Sequence, residues 1–183
     1  MKNIVRFVLL FIFVLPLMAQ WSNISGPGTN GINAVSQYGN TIAVGTQTAG
    51  MFLTTDLGTS WRSINGNLVD FSVQSMYASP TQILTGVSMP FSSYGVFQTV
   101  NNGISWKGFG GPFPGKTMNC IIKVDTVILV ATGGGNVNVV RTKNDGLTWE
   151  SASGGIAGPK VNSLTANGSV AFAATDEGIF RST

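Results

Sequence analysis

Three tryptophans close the same short phrase, and the phrase returns at an almost constant interval. The copies run Thr54-Thr-Asp56-Leu-Gly58-Thr-Ser-Trp61, Thr99-Val-Asn101-Asn-Gly103-Ile-Ser-Trp106 and Thr142-Lys-Asn144-Asp-Gly146-Leu-Thr-Trp149, with the indoles 45 and 43 residues apart. A period of this size marks a row of like units, none of which can bury its own apolar faces alone.

Each unit divides into four short strands. The first reads apolar, amide, small, apolar: Ile32 to Val35, Val73 to Met76, Met118 to Ile121 and Val161 to Leu164. The second is β-branched and apolar, over 41–46, 82–87, 126–132 and 169–175. The third covers 50–52, 95–97, 138–140 and 178–180, and the fourth starts at the tryptophan. Apolar runs this short, with little alternation, suit sheets covered on both faces. No stretch after the first nineteen residues shows a helical period, and 24 glycines argue against long helices. Cys120 fills the small slot of its strand, held elsewhere by Ala34, Ser75 and Ser163, which predicts a buried and inert thiol.

Four-stranded sheets repeated in this way predict an all-β protein, a β-propeller of four-stranded antiparallel blades. About four blades are present, near 31–64, 72–109, 117–152 and 160–183, as an open arc or a small ring. Trp21-Ser-Asn-Ile24 fits the fourth-strand pattern of Trp61-Arg-Ser-Ile64. Residues 20–25 are therefore expected as a Velcro-type outer strand. The set forms either a four-bladed ring or the front part of a longer propeller, and the second organisation is favoured.

The phrase resembles the Asp box of the bacterial-neuraminidase-repeat (BNR) propellers. That group includes sialidases, sortilin-type receptors, xyloglucanases and photosystem II assembly-factor-like proteins. The resemblance covers nearly all of the chain after residue 19. It implies a propeller more firmly than any activity, because unrelated functions share the fold. In such a phrase the acid caps its own turn by accepting backbone N–H groups. The glycine adopts positive φ at little cost, and the indole packs beneath the turn. Only Asp56 is an acid here; Asn101 and Asn144 replace it elsewhere, and an amide oxygen can cap the same turn. Asp56, Gly58, Trp61, Asn101, Gly103, Trp106, Asn144, Gly146 and Trp149 are therefore read as structural.

Residues 1–19 read as a signal peptide: Lys2 and Arg6, then an apolar run from Phe7 to Leu17, then Ala19. The run is short for a membrane span. The expected product is secreted, with no stable membrane insertion after cleavage. Eight basic residues then face seven acidic ones, scattered along the chain, which gives no basic face for nucleic acid. The sequence has no histidine, so the commonest general base and metal ligand are absent. No cofactor is expected.

Two loops offer aromatics on proline-bearing segments, 87–94 and 107–116. Met89, Phe91, Tyr94, Phe109, Phe113 and Lys116 are the candidate ligand-binding residues, since aromatics on stiff loops suit protein or carbohydrate contacts. The rival reading is that these aromatics cover the ends of the blade cores. Gly110 to Thr117 matches the P-loop pattern by letter but precedes a strand, and Pro112 and Pro114 remove amide donors, so it is rejected. Catalytic carboxylates would have to share a cleft, and the non-box acids are spread over different units. Sialidase chemistry implies an arginine triad, and Arg62, Arg141 and Arg181 occupy repeat-equivalent surface positions instead. The amides Asn33, Gln74, Asn119 and Asn162 are expected to line a central channel or to bridge adjacent blades. The reading that results is a secreted, non-catalytic binding or scaffold module for protein or polysaccharide. Further blades or a sorting domain are expected elsewhere in the full chain. The alternative is a xyloglucanase- or sialidase-like glycoside hydrolase with catalytic residues partly in missing blades.

Overall fold

The computed structural model describes residues 21–24, 26–28, 30–88, 94–133, 139–156 and 160–182. Residues 1–20, with the expected leader, lie outside these, as do Met89 and Phe91. Every regular element among the described residues is a strand.

The strands form four antiparallel meanders. The first sheet is β1 (Ile32–Tyr38), β2 (Thr41–Thr46), β3 (Met51–Thr54) and β4 (Arg62–Ser63). The second is β5 (Val73–Ser79), β6 (Gln82–Val87), β7 (Tyr94–Thr99) and β8 (Lys107–Gly110). The third is β9 (Thr117–Val124), β10 (Val127–Gly133), β11 (Val139–Thr142) and β12 (Glu150–Ser151). The fourth holds three strands, β13 (Val161–Asn167), β14 (Val170–Thr175) and β15 (Gly178–Arg181). In each sheet, order in space equals order in sequence, as short hairpin connections require.

The sheets stack through their faces. The innermost strands run side by side in the order β1, β5, β9, β13, and no comparable packing returns from β13 to β1. Between the first and second sheets lie Ala43, Met51, Leu53 and Ile64 against Val73, Met76, Ile83 and Phe97. Leu84, Val96 and Phe109 meet Met118, Ile121, Ile128 and Val130 in the next layer. Ala131 and Val139 meet Val161, Leu164 and Ala173 in the last. Fully burying one Leu, Ile or Phe side chain stabilises by about 1.5–3 kcal/mol, so these three layers hold the row together. Close approach also fixes some small residues. A Cβ on Gly45 would strike Val73, and one on Gly86 would sit 2.5 Å from Met118 Cβ.

Two expectations need correction. Residues 21–24 form no strand and pair with no sheet; Trp21 is 95 % exposed. The expected Velcro strand fails because the two ends of the row do not meet, so β15 is an open edge. Cys120 is half-buried rather than buried. It packs at the side of the last layer, its Sγ 3.6 Å from the Leu164 carbonyl.

Candidate functional site

The three repeated turns have one construction. In each, the leading threonine is the hub. The Thr54, Thr99 and Thr142 hydroxyls donate to Oδ1 of Asp56, Asn101 and Asn144 at 2.6, 2.8 and 2.9 Å. The same hydroxyls accept the N–H of Gly58, Gly103 and Gly146 at 3.0, 2.9 and 3.0 Å. Oδ1 in turn accepts the N–H of Ser60, Ser105 and Thr148 at 2.9, 3.0 and 2.9 Å. All three threonines are buried. The sequence reading overlooked them, although all three copies begin with Thr.

Acid and amide differ in one bond only. Ser60 Oγ donates to Asp56 Oδ2 at 2.6 Å, whereas Asn101 and Asn144 donate through Nδ2 to Ser105 Oγ and Thr148 Oγ at 2.9 and 2.8 Å. The hydroxyl simply reverses its role. The donors of Ser60 and Thr54 hold the Asp56 carboxyl down at about 2, from an ordinary 3.8. A carboxylate fixed in its ionised form is unsuited to general-acid work.

The turns also reach backward. Trp106 lies in the layer between the first and second sheets, and its Nε1 donates to the Ile64 carbonyl at 2.8 Å. Trp149 lies between the second and third, edge-on to Phe113 with centroids 4.9 Å apart. The indoles thus pack on the preceding sheet, not merely beneath their own turn. The glycines do likewise. A Cβ on Gly103 would strike Ile64, and one on Gly146 would strike Phe109. Each glycine follows a residue that already has positive φ: Leu57, Asn102 and Asp145.

The candidate ligand-binding aromatics divide differently from expectation. Phe109 and Phe113 are each 1 % exposed and belong to the second layer. They are core residues, because the turn of the third sheet and Trp149 close over them. Tyr94 opens β7, opposite Gly110. Lys116 is half-exposed, its backbone N–H donating to the Phe113 carbonyl at 3.0 Å. Met89 and Phe91 lie outside the described residues.

The amide column is more organised than its sequence pattern suggests. On β1, Ile32 faces Thr46 and Ala34 faces Gly45, so Asn33 is skipped. Gln74, Asn119 and Asn162 are skipped in the same way on β5, β9 and β13. A β-bulge inserts one extra residue and re-aims its side chain, commonly beside functional sites. Four bulged amides therefore recur at one level of the innermost strands. Asn33 and Asn119 donate across the layers, to the carbonyls of Val73 and Val161, each at 2.9 Å. Gln74 donates to Ser72 Oγ at 3.1 Å, and Asn162 to Asp176 Oδ1 at 2.7 Å. Together with Met118 and Lys160 the four amides line a polar opening of about 350 Å3.

Other carboxylates are engaged locally. Asp70 Oδ1 accepts the Ser72 N–H at 2.7 Å. Glu150 lies 2.7 Å from Arg141 Nε and 3.4 Å from Lys143 Nζ, and Arg141 chiefly holds its carboxyl below the usual range. Among the described residues no three His, Cys, Asp or Glu side chains cluster to hold a metal ion.

No protein-family model matches the sequence, and no curated protein does. Solved structures do match in shape. The computationally designed Ika4 protein is 10 % identical, with a TM-score of 0.64 over 89 % of this chain and 98 % of that one. The fold is a β-propeller arc. An ancestral GH74 enzyme is 20 % identical with a TM-score of 0.64, over 86 % of this chain and 23 % of its own. YCF48 bound to D1 peptide is 18 % identical with a TM-score of 0.57, over 82 % of this chain and 50 % of its own. The arc thus spans about a quarter of the one and half of the other. At such identities the likeness concerns the fold alone.

Proposed function

We propose that this chain is an exported, non-catalytic propeller module of the Asp-box type that binds protein or polysaccharide at the amide-lined opening. The carrying observation is the bulge repeated on every innermost strand. It sets Asn33, Gln74, Asn119 and Asn162 around one polar opening, with Lys160 as its cation. Amides read hydroxyls, backbone amides and carboxylates alike, because each carries both donors and an acceptor. Asp56 and Asp70 cap turns, Glu150 pairs with Arg141 and Lys143, and Asp176 accepts from Asn162, which favours binding over hydrolysis. The Asp-box assignment rests on the Thr-x-Asp/Asn-x-Gly-x-Ser/Thr-Trp phrase and its shared hydrogen bonds. Binding to a glycan array and a peptide library, with and without Lys160→Ala and Gln74→Ala, tests the reading. Loss of binding in both variants supports it.

A second reading is a glycoside hydrolase whose catalytic residues lie partly in further blades. The likeness of fold to an ancestral GH74 enzyme favours it. Sugar release by the full-length protein, abolished by a single Asp substitution, would establish this reading over the first.

A further inference from the structure

The connection from the first sheet to the second carries an aromatic ring that the core does not use. Between β4 and β5 the chain runs through Leu68-Val69-Asp70-Phe71-Ser72. Leu68 is buried in the first layer beside Trp106, as Phe113 is in the second beside Trp149. Phe71 belongs to none of the three layers and is 44 % exposed.

Single exposed apolar residues are common on protein surfaces. Phe71 differs in how firmly its backbone is held, and by what. Its carbonyl accepts the Gly50 N–H at 3.1 Å, and the Ser72 carbonyl accepts the Ser88 N–H at 3.1 Å. Asp70 Oδ1 accepts the Ser72 N–H at 2.7 Å. Two amides that line the polar opening complete the support. Gln74 Nε2 donates to Ser72 Oγ at 3.1 Å, and Asn33 Nδ2 donates to the Val73 carbonyl at 2.9 Å. Phe71 is therefore fixed beside the opening by the same side chains that line it.

A ring of amides next to one aromatic has a specific chemical complement. A sugar ring presents C–H groups on its faces and hydroxyls around its rim. The negative face of an aromatic ring attracts the C–H groups, and an amide offers each hydroxyl both a donor and an acceptor. Asn33 and Asn119 use one N–H each on the neighbouring carbonyls, which leaves the second of each for a ligand among the described residues. An extended peptide asks instead for pockets that take alternate side chains, and Met118 is the one apolar residue among those lining the opening. An acidic ligand is poorly served too. Lys160 is the one cation of the lining, and Asp176, held by Asn162, brings an opposite charge to its edge.

We propose that the amide-lined opening takes a neutral polysaccharide, with Phe71 as the platform on which one sugar ring stacks. This rests on the reading of the opening as a binding site, and adds to it the class of ligand and the residue that selects it.

Titration calorimetry of the full-length protein tests the proposal. The probes are neutral oligosaccharides of glucose, mannose and galactose, a uronic-acid oligosaccharide and a mixed peptide library. At least one neutral oligosaccharide should bind more tightly than the uronic acid or the peptides. Phe71→Leu, which keeps apolar bulk without a flat ring, should weaken that binding by about tenfold or more. Phe71→Tyr, which keeps the ring, should bind as the native protein does, and both variants should keep its thermal midpoint. Binding that is lost with Gln74→Ala but indifferent to Phe71→Leu overturns the proposal and leaves the opening as a binding site. Preference for peptides or for the uronic acid, lost with Gln74→Ala, does the same. Absence of binding to every probe, or binding indifferent to Gln74→Ala, overturns both.

Discussion

The indole N–H of Trp106 donates to the carbonyl of Ile64 at 2.8 Å, so the turn of one sheet is bonded to the outer strand of the sheet before it. The other two indoles have no such acceptor: Trp61 Nε1 and Trp149 Nε1 are buried without a partner among the described residues. A buried bond typically contributes about 0.5–1.5 kcal/mol, whereas removing an unpartnered buried donor relieves a cost. Trp106→Phe should therefore destabilise by more than Trp149→Phe does, by about 1 kcal/mol or more. Urea-denaturation midpoints of the two variants give the comparison.

The threonine hubs yield a second expectation. Thr99→Ala removes the acceptor of the Gly103 N–H and the donor to Asn101 in a buried turn. It should cost about 1–3 kcal/mol, while Thr99→Ser, which keeps the hydroxyl, should cost less. The same denaturation series decides it.

How much of this was legible depended on whether a residue's role was local. The period of the tryptophans and the apolar strand runs predict the sheets, because strand formation is written in neighbouring residues. The hub role of Thr54, Thr99 and Thr142 shows in the sequence only as an unvarying first letter, because a shared hydroxyl is a matter of turn geometry. Phe109 and Phe113 read as loop aromatics because the residues that bury them, Gly146 and Trp149, come more than thirty positions later. The bulges at Asn33, Gln74, Asn119 and Asn162 were not legible, since a register skip is a relation between strands. Trp21 has the pattern of a fourth strand but no sheet within the arc to join.

Acid should act on one turn only. The folded Asp56 carboxyl lies near 2, below its ordinary 3.8. A depressed value contributes stability that is present above the ordinary value and lost as pH falls through the folded one. This contribution should therefore fade between about pH 4 and pH 2. Asp56→Asn should remove that part of the pH dependence, as Asn101 and Asn144 show that an amide fits the turn. Thermal midpoints of both proteins across the window test this.

Phe113 offers a contrast between core and loop. It is buried against Trp149, and a Cβ on Gly95 would come within 2.8 Å of it. Phe113→Ser should destabilise by about 3–5 kcal/mol, as for other large core truncations. A midpoint left unchanged would return Phe113 to the ligand-binding candidates.

The central claim is that the second and third turns each lock onto the sheet before them, and a double-mutant cycle at Gly146 and Phe109 measures that lock. A methyl on Gly146 collides with the Phe109 side chain, so the Phe109→Ala background, which removes the ring but keeps Cβ, should relieve part of the cost of Gly146→Ala. The account predicts a coupling of about 1 kcal/mol or more, within the range seen for residues in contact. Strict additivity of the two substitutions would contradict it.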